Sequence, residues 1–155
     1  MGMKQVGSKG PPWEVDVDVY VYAEDHDPPF LIESYLQTTQ NGNLQFHNRG
    51  RDGFNVRFTL HDLSNQGYQW PRPNEVAQAL RSQQGEGCPP ANCGHWDQFE
   101  PKNIIQNRKV LIVRNPNEYE AKFGYTLRIT KDDGTTYREL DPGGDNWNGN
   151  FAAFF

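Results

Sequence analysis

The chain has no long apolar run, no surplus of basic residues and only two cysteines. Each shortage closes a class of protein. A bilayer-spanning helix needs about 20 consecutive apolar residues, and stretches such as Val110 to Val113 come nowhere near that. No membrane partner is therefore expected. Fifteen Lys and Arg stand against twenty Asp and Glu, a formal charge of −5 with no basic cluster. That balance argues against a nucleic-acid partner, whose backbone is held by concentrated positive charge. Lys4 and Lys9 have no apolar segment behind them, so the opening residues do not read as a secretory signal, and a cytoplasmic chain is expected. A secreted or periplasmic protein read without its leader would look the same.

Hydrophobic residues are also scarce, at 35%, and mean hydropathy is −0.89. Such values approach those of disordered chains, but 13% of the residues are Phe, Trp or Tyr, enough to build a core. Asn and Gln together number 25, beside fifteen Gly and eleven Pro, so many short elements joined by turns are expected. A length of 155 residues suits one domain, with 1–11 as a flexible N-terminal segment and 150–155 as an apolar tail.

Three segments alternate cleanly. Trp13, Val15, Val17, Val19 and Val21 interleave with Glu14, Asp16, Asp18, Tyr20 and Tyr22. Phe54, Val56, Phe58 and Leu60 interleave with Asn55, Arg57, Thr59 and His61, and Phe123, Tyr125, Leu127 and Ile129 with Gly124, Thr126, Arg128 and Thr130. A period of two marks strands with one buried face, and here it predicts antiparallel strands, since parallel sheets are commonly covered on both faces. Weaker strands are expected at 30–37, 44–47, 103–105, 109–114 and 135–140. Lys131-Asp132-Asp133-Gly134 reads as a hairpin turn, so the last two strands should pair directly. One short helix is expected, capped by Asn74, carrying Glu75, Val76, Ala77 and Leu80, and stopped by Gly85. The whole reads as an all-β antiparallel sandwich of seven to eight strands, immunoglobulin-like in architecture, although the disulfide and strand-C Trp of that fold are absent in their spacing. The helix sits in a long insertion, about 62–98, of the kind that caps a sandwich end or carries function.

Candidate chemistry is sparse. Cys88, Cys93 and His95 share one loop, and two thiolates with an imidazole can ligate zinc, yet no second Cys pair is present. A local Cys88–Cys93 disulfide and two free thiols are the competing readings. Glu24-Asp25-His26-Asp27 offers carboxylates for Ca²⁺ without the spacing of an EF-hand, so solvated turn residues are the simpler account. Glu14, Asp16 and Asp18 share one strand face about 7 Å apart, and Arg57 and Arg128 are available to pair with them. Tyr68, Trp70, Trp96 and Trp147 fall in loops, where the rings can stack on a sugar, and Asp145 lies in the loop 141–150, whose Asp, Asn and Gly can coordinate a cation through carboxylates and backbone carbonyls. Plugging the sandwich ends is the more ordinary role of such rings.

No Gly-x-Ser-x-Gly, phosphate loop or His-Glu-x-x-His occurs, and the four histidines lie in four segments. Partners meet in space, so a thiolate of Cys88 or Cys93 beside His95 or His61 stays open. The expected function is a non-enzymatic binding or assembly protein without a resident cofactor. Its partners would be a second copy, with the Phe-rich tail buried in a homodimer, or another protein. A carbohydrate-binding module using the loop tryptophans, and a small zinc or calcium metalloprotein, are the alternatives.

Overall fold

The computed structural model describes residues 10–36, 44–47, 52–85, 93–118, 121–131, 133–140 and 143–147. Among the described residues, ten strands form two packed sheets. β1 (Trp13–Val21), β2 (Phe30–Glu33), β4 (Phe54–Asp62), β6 (Glu100–Ile105) and β7 (Val110–Asn115) make the first, in the order β2-β1-β4-β7-β6. β3 (Leu44–His47), β5 (Leu80–Gln84), β8 (Ala121–Thr130), β9 (Tyr137–Leu140) and β10 (Gly143–Trp147) make the second, in the order β3-β10-β8-β5 with β9 also on β8. The protein is an all-β sandwich.

The alternating residues behave as their period dictates. Val15, Val17, Val19 and Val21 are fully buried, as are Val56 and Phe58 from β4 and Tyr125, Leu127 and Ile129 from β8. Aromatic rings join the layers: Phe58 of the first sheet lies 6.1 Å from Tyr125 of the second, and Phe99 stands 4.9 Å from Phe123 and 5.0 Å from Tyr125. Rings at these separations add edge and offset attraction to the burial of their area. Aromatic rings thus supplement a core that is otherwise built of Val, Leu and Ile.

Two pairings correct the wholly antiparallel expectation. β1 and β4, the first two alternating segments, run parallel from Trp13↔Phe54 to Val21↔Asp62, and β3 runs parallel to β10. The alternation reports that one sheet face is open to water, whatever the strand direction. On that open face the acidic residues of β1 meet β4: Asn55 Nδ2 donates to Glu14 at 2.8 Å, Arg57 Nε lies 3.5 Å from Asp16, and His61 Nε2 lies 2.9 Å from Asp18. Arg57 takes the expected partner. Arg128 does not, because β8 belongs to the other sheet, where its guanidinium covers the Tyr137 ring at 3.8 Å.

The expected hairpin is present, with β8 and β9 paired from Leu127↔Leu140 to Thr130↔Tyr137. β10 continues this register at Gly143↔Gly124, so β9 and β10 lie along β8 in one continuous register. The expected helix is a 3-10 turn, Pro73–Gln78, that opens on Pro73 after Arg72 rather than on Asn74. Leu80 is not part of it. Leu80 and Ser82 are the buried positions of β5, an edge strand along β8, and Gly85 at φ +102° ends that strand instead of a helix. The stretch 62–98 therefore contributes a strand to the second sheet.

Candidate functional site

β1 and β4 finish together at Val21↔Asp62, and the loops that leave them meet the β6–β7 turn and the β8–β9 hairpin at one end of the sandwich. Three anchors organise this end. The first is Asp62, whose carboxylate accepts from the amides of Ser64, Gly67 and Tyr68, each at 3.0 Å, and from the Ser64 hydroxyl. Burial would raise its carboxyl, but the hydroxyl and amide donors outweigh that and hold it below the usual Asp value. This fixes the loop that delivers Tyr68.

The second anchor is the segment Tyr68-Gln69-Trp70, which laces the two sheets together. Gln69 exchanges both backbone bonds with Thr130 of β8 at 2.8 Å, while Trp70 N donates to Arg108 O in the β6–β7 turn at 3.1 Å. Tyr68 and Trp70 point into the core, and the Trp70 indole N–H is shared between Phe58 O and Lys109 O at 3.1 Å each. Gln69, between them, is only partly covered.

The third anchor holds a strained turn. Gln106, Asn107 and Arg108 follow one another at φ +56°, +56° and +63°. A left-handed non-glycine residue costs about 1 kcal/mol or more, so three in succession need outside support. Arg108 supplies it, donating from Nε to Trp70 O at 2.8 Å and from Nη2 to Thr130 Oγ1 at 3.1 Å.

Two clefts open at this end, lined by adjacent residues of the lacing segment. The larger, about 520 Å³, is bounded by Gln69, Pro73, Ile104, Ile105 and the strained turn. The side-chain amides of Gln69, Gln106 and Asn107 have no hydrogen-bond partner among the described residues. The smaller, about 310 Å³, is lined by Ala23, Glu24, Asp25, Gln66, Tyr68 and Arg138. Arg138 closes its floor, donating to Tyr22 O at 2.6 Å and Pro29 O at 2.9 Å, with its guanidinium carbon 5.5 Å from the centre of the Tyr68 ring.

The residues expected to bind sugar are placed otherwise. Trp70, Tyr68 and Trp96 are 0%, 2% and 9% exposed and belong to the core, so they offer no ring face to a glycan. Trp96 instead packs 5.2 Å from Phe123. Asp145 and Trp147 fall in β10, and their side chains lie outside the described residues. Cys88 and the 150–155 tail do as well.

Cys93 carries a free, partly exposed thiol, 3.4 Å from Gly94 O and 3.8 Å from Ser82 O. His95 Nε2 donates to Ala77 O at 3.0 Å, so that ring nitrogen is engaged away from any metal. No group of three His, Cys, Asp or Glu side chains converges for a cation among the described residues. The acids of the 24–27 loop divide: Glu24 and Asp25 line the smaller cleft, while His26 stacks 4.4 Å from Tyr22 and bonds Pro28 O.

Sequence reading missed Arg138, Gln69 and the turn at 106–108. Arg138 sits in an expected strand, but its bonds reach carbonyls more than a hundred residues away. No glycine announces the left-handed turn. The chain matches no protein-family model and no curated protein. Among the described residues, no helix is long and apolar enough to cross a membrane.

Proposed function

We propose that the protein is a non-enzymatic binding module whose ligand site is the loop end of the sandwich. One observation carries the reading. Gln106-Asn107-Arg108 is held in a costly left-handed turn by the Arg108 bonds to Trp70 and Thr130, and that turn forms a wall of the larger cleft. Strain of this kind persists only where surrounding structure imposes it, and it gathers at ligand clamps. The unspent amides of Gln69, Gln106 and Asn107 supply both donors and acceptors beside apolar Pro73 and Ile104, a mixture common in small-molecule sites. An immunoglobulin-like comparison supports it by analogy alone, since those sandwiches also bind through loops gathered at one end.

The test is amide-resolved NMR with a panel of small polar compounds, including glycans and amino acids. Perturbations gathered at 24–25, 66–69, 105–108 and 138 are expected. Perturbations confined to the open face of the first sheet, around Asp16 and Arg57, would overturn the reading.

A further inference from the structure

Among the described residues, Arg108 is the only charged one lining the larger cleft, whereas the smaller carries both signs of charge. Glu24, Asp25 and Arg138 all line it. Opposite charges sharing a space of about 310 Å³ ordinarily find each other. Here they do not: the ion pairs of the described residues are Arg57–Asp16, His61–Asp18, Arg81–Glu139, Lys102–Glu100 and Arg114–Asp52. Arg138 is kept back because its two terminal nitrogens are bonded to Tyr22 O and Pro29 O, one carbonyl on each side of the 23–28 loop. Those bonds fix the guanidinium while leaving its other N–H groups uncommitted. The loop that Arg138 holds is the one carrying Glu24 and Asp25, so a single side chain sets the gap between the two signs of charge.

We propose that this cleft binds a small zwitterion of free amino acid size, its carboxylate received by Arg138 and its ammonium by Glu24 and Asp25. The proposal rests on the loop-end reading and names the ligand of one of its two clefts. A guanidinium receives a carboxylate with directional, charge-assisted bonds. The Gln66 side-chain amide on the same wall has no protein partner among the described residues and adds a neutral donor and acceptor. At about 310 Å³ the cleft stands at the lower bound of small-molecule sites. A ligand with only one of the two charges leaves the opposite sign unanswered, so both are required for affinity.

The experiment titrates the full chain, by NMR and calorimetry, with free L-amino acids and with the N-acetyl and methyl ester derivatives of the same compounds. Free amino acids are expected to shift the amide signals of 24, 25, 66, 68 and 138, with each derivative at least about tenfold weaker, the loss of one charge-assisted contact. Glu24→Gln combined with Asp25→Asn should weaken the free amino acid by a similar factor while leaving the thermal midpoint unchanged, because neither carboxylate is bonded within the described structure. Equal binding of free and capped forms overturns the proposal. So does a response confined to Gln69, Gln106 and Asn107, which leaves the loop-end reading standing. No response at the smaller cleft, with the protein folded and the compounds at millimolar concentration, also overturns the proposal, and silence at both clefts towards the glycans and other polar compounds of the wider panel overturns the loop-end reading as well.

Discussion

Gly53 occupies a position that no other residue can take without moving backbone. Its φ is +68°, its carbonyl accepts from Trp13 N at 2.8 Å, and a Cβ added there would stand 2.6 Å from Pro116 Cα and clash with Asn115 O. Gly53→Ala should lower stability by about 2 kcal/mol or more, the sum of left-handed strain and overpacking, read as a shift in the urea midpoint. An unchanged midpoint would mean that the Asn115-Pro116 backbone yields freely. At this scale the sequence was legible where a residue repeats a period, as Val15 and Phe58 do, and opaque where orientation depends on a distant acceptor. Nothing near Trp70 in the chain reveals that its indole N–H would be shared between Phe58 O and Lys109 O. A tryptophan between loop residues admits both a sugar platform and a plug for the sandwich end, and burial places Trp70 and Trp96 with the second, the more ordinary role.

Elements were legible by existence more than by partner. β1, β4 and β8 stand almost where their alternation placed them, whereas β5 was read in part as helix and β10 as irregular loop. Val76, Ala77 and Leu80 recur at helical spacing, but Pro73 admits only a short 3-10 turn, and Leu80 is claimed by the ladder to Leu127. The β6–β7 turn was passed over because its conformation is enforced from outside. That dependence makes an unusual forecast: Gln106→Gly, which in an ordinary element would cost up to about 1 kcal/mol, should here leave stability unchanged or raise it by about 0.5 kcal/mol. Arg108→Ala should cost about 2 kcal/mol, since it removes the bonds to Trp70 O and Thr130 Oγ1 that hold the turn. Paired denaturation curves read both, and a large loss in Gln106→Gly would refute the account of strain.

The molecule as a whole should be acid-sensitive in a defined window. The carboxyl of Asp133 is lowered to about 2 by the Thr136 hydroxyl and the amides of Thr136 and Thr135, and that of Glu139 is lowered by its bond to Arg81. Asp62 moves the same way. A depressed folded pKa stabilises the fold above the unfolded value, and that contribution is lost as pH falls through the folded one. Stability should therefore hold from neutral pH to about pH 4 and decline towards about pH 2. Urea midpoints across this range should flatten in Asp133→Asn, and an equally steep curve in that variant would remove Asp133 from the explanation.

Hydrogen exchange should be slowest in β4 and β8, which are flanked on both sides, and faster in the edge strands β2 and β6. Protection in β2 matching that of β4 would contradict the strand order. That order was the part of the architecture least legible in the sequence, since alternation shows which face of a strand is buried and not which strand lies beside it.

The parallel pairing of β3 with β10 sets Leu44 beside Gly144, a hundred residues further along the chain. On a ribosome, β3 emerges long before the strand that will flank it has been made. The second sheet cannot close along that side until β10 has been made, and an unpaired apolar edge carrying Leu44 and Phe46 waits for its neighbour. Late closure of this sort makes for slow folding, and it marks the nascent chain as the form most exposed to chaperones and to aggregation.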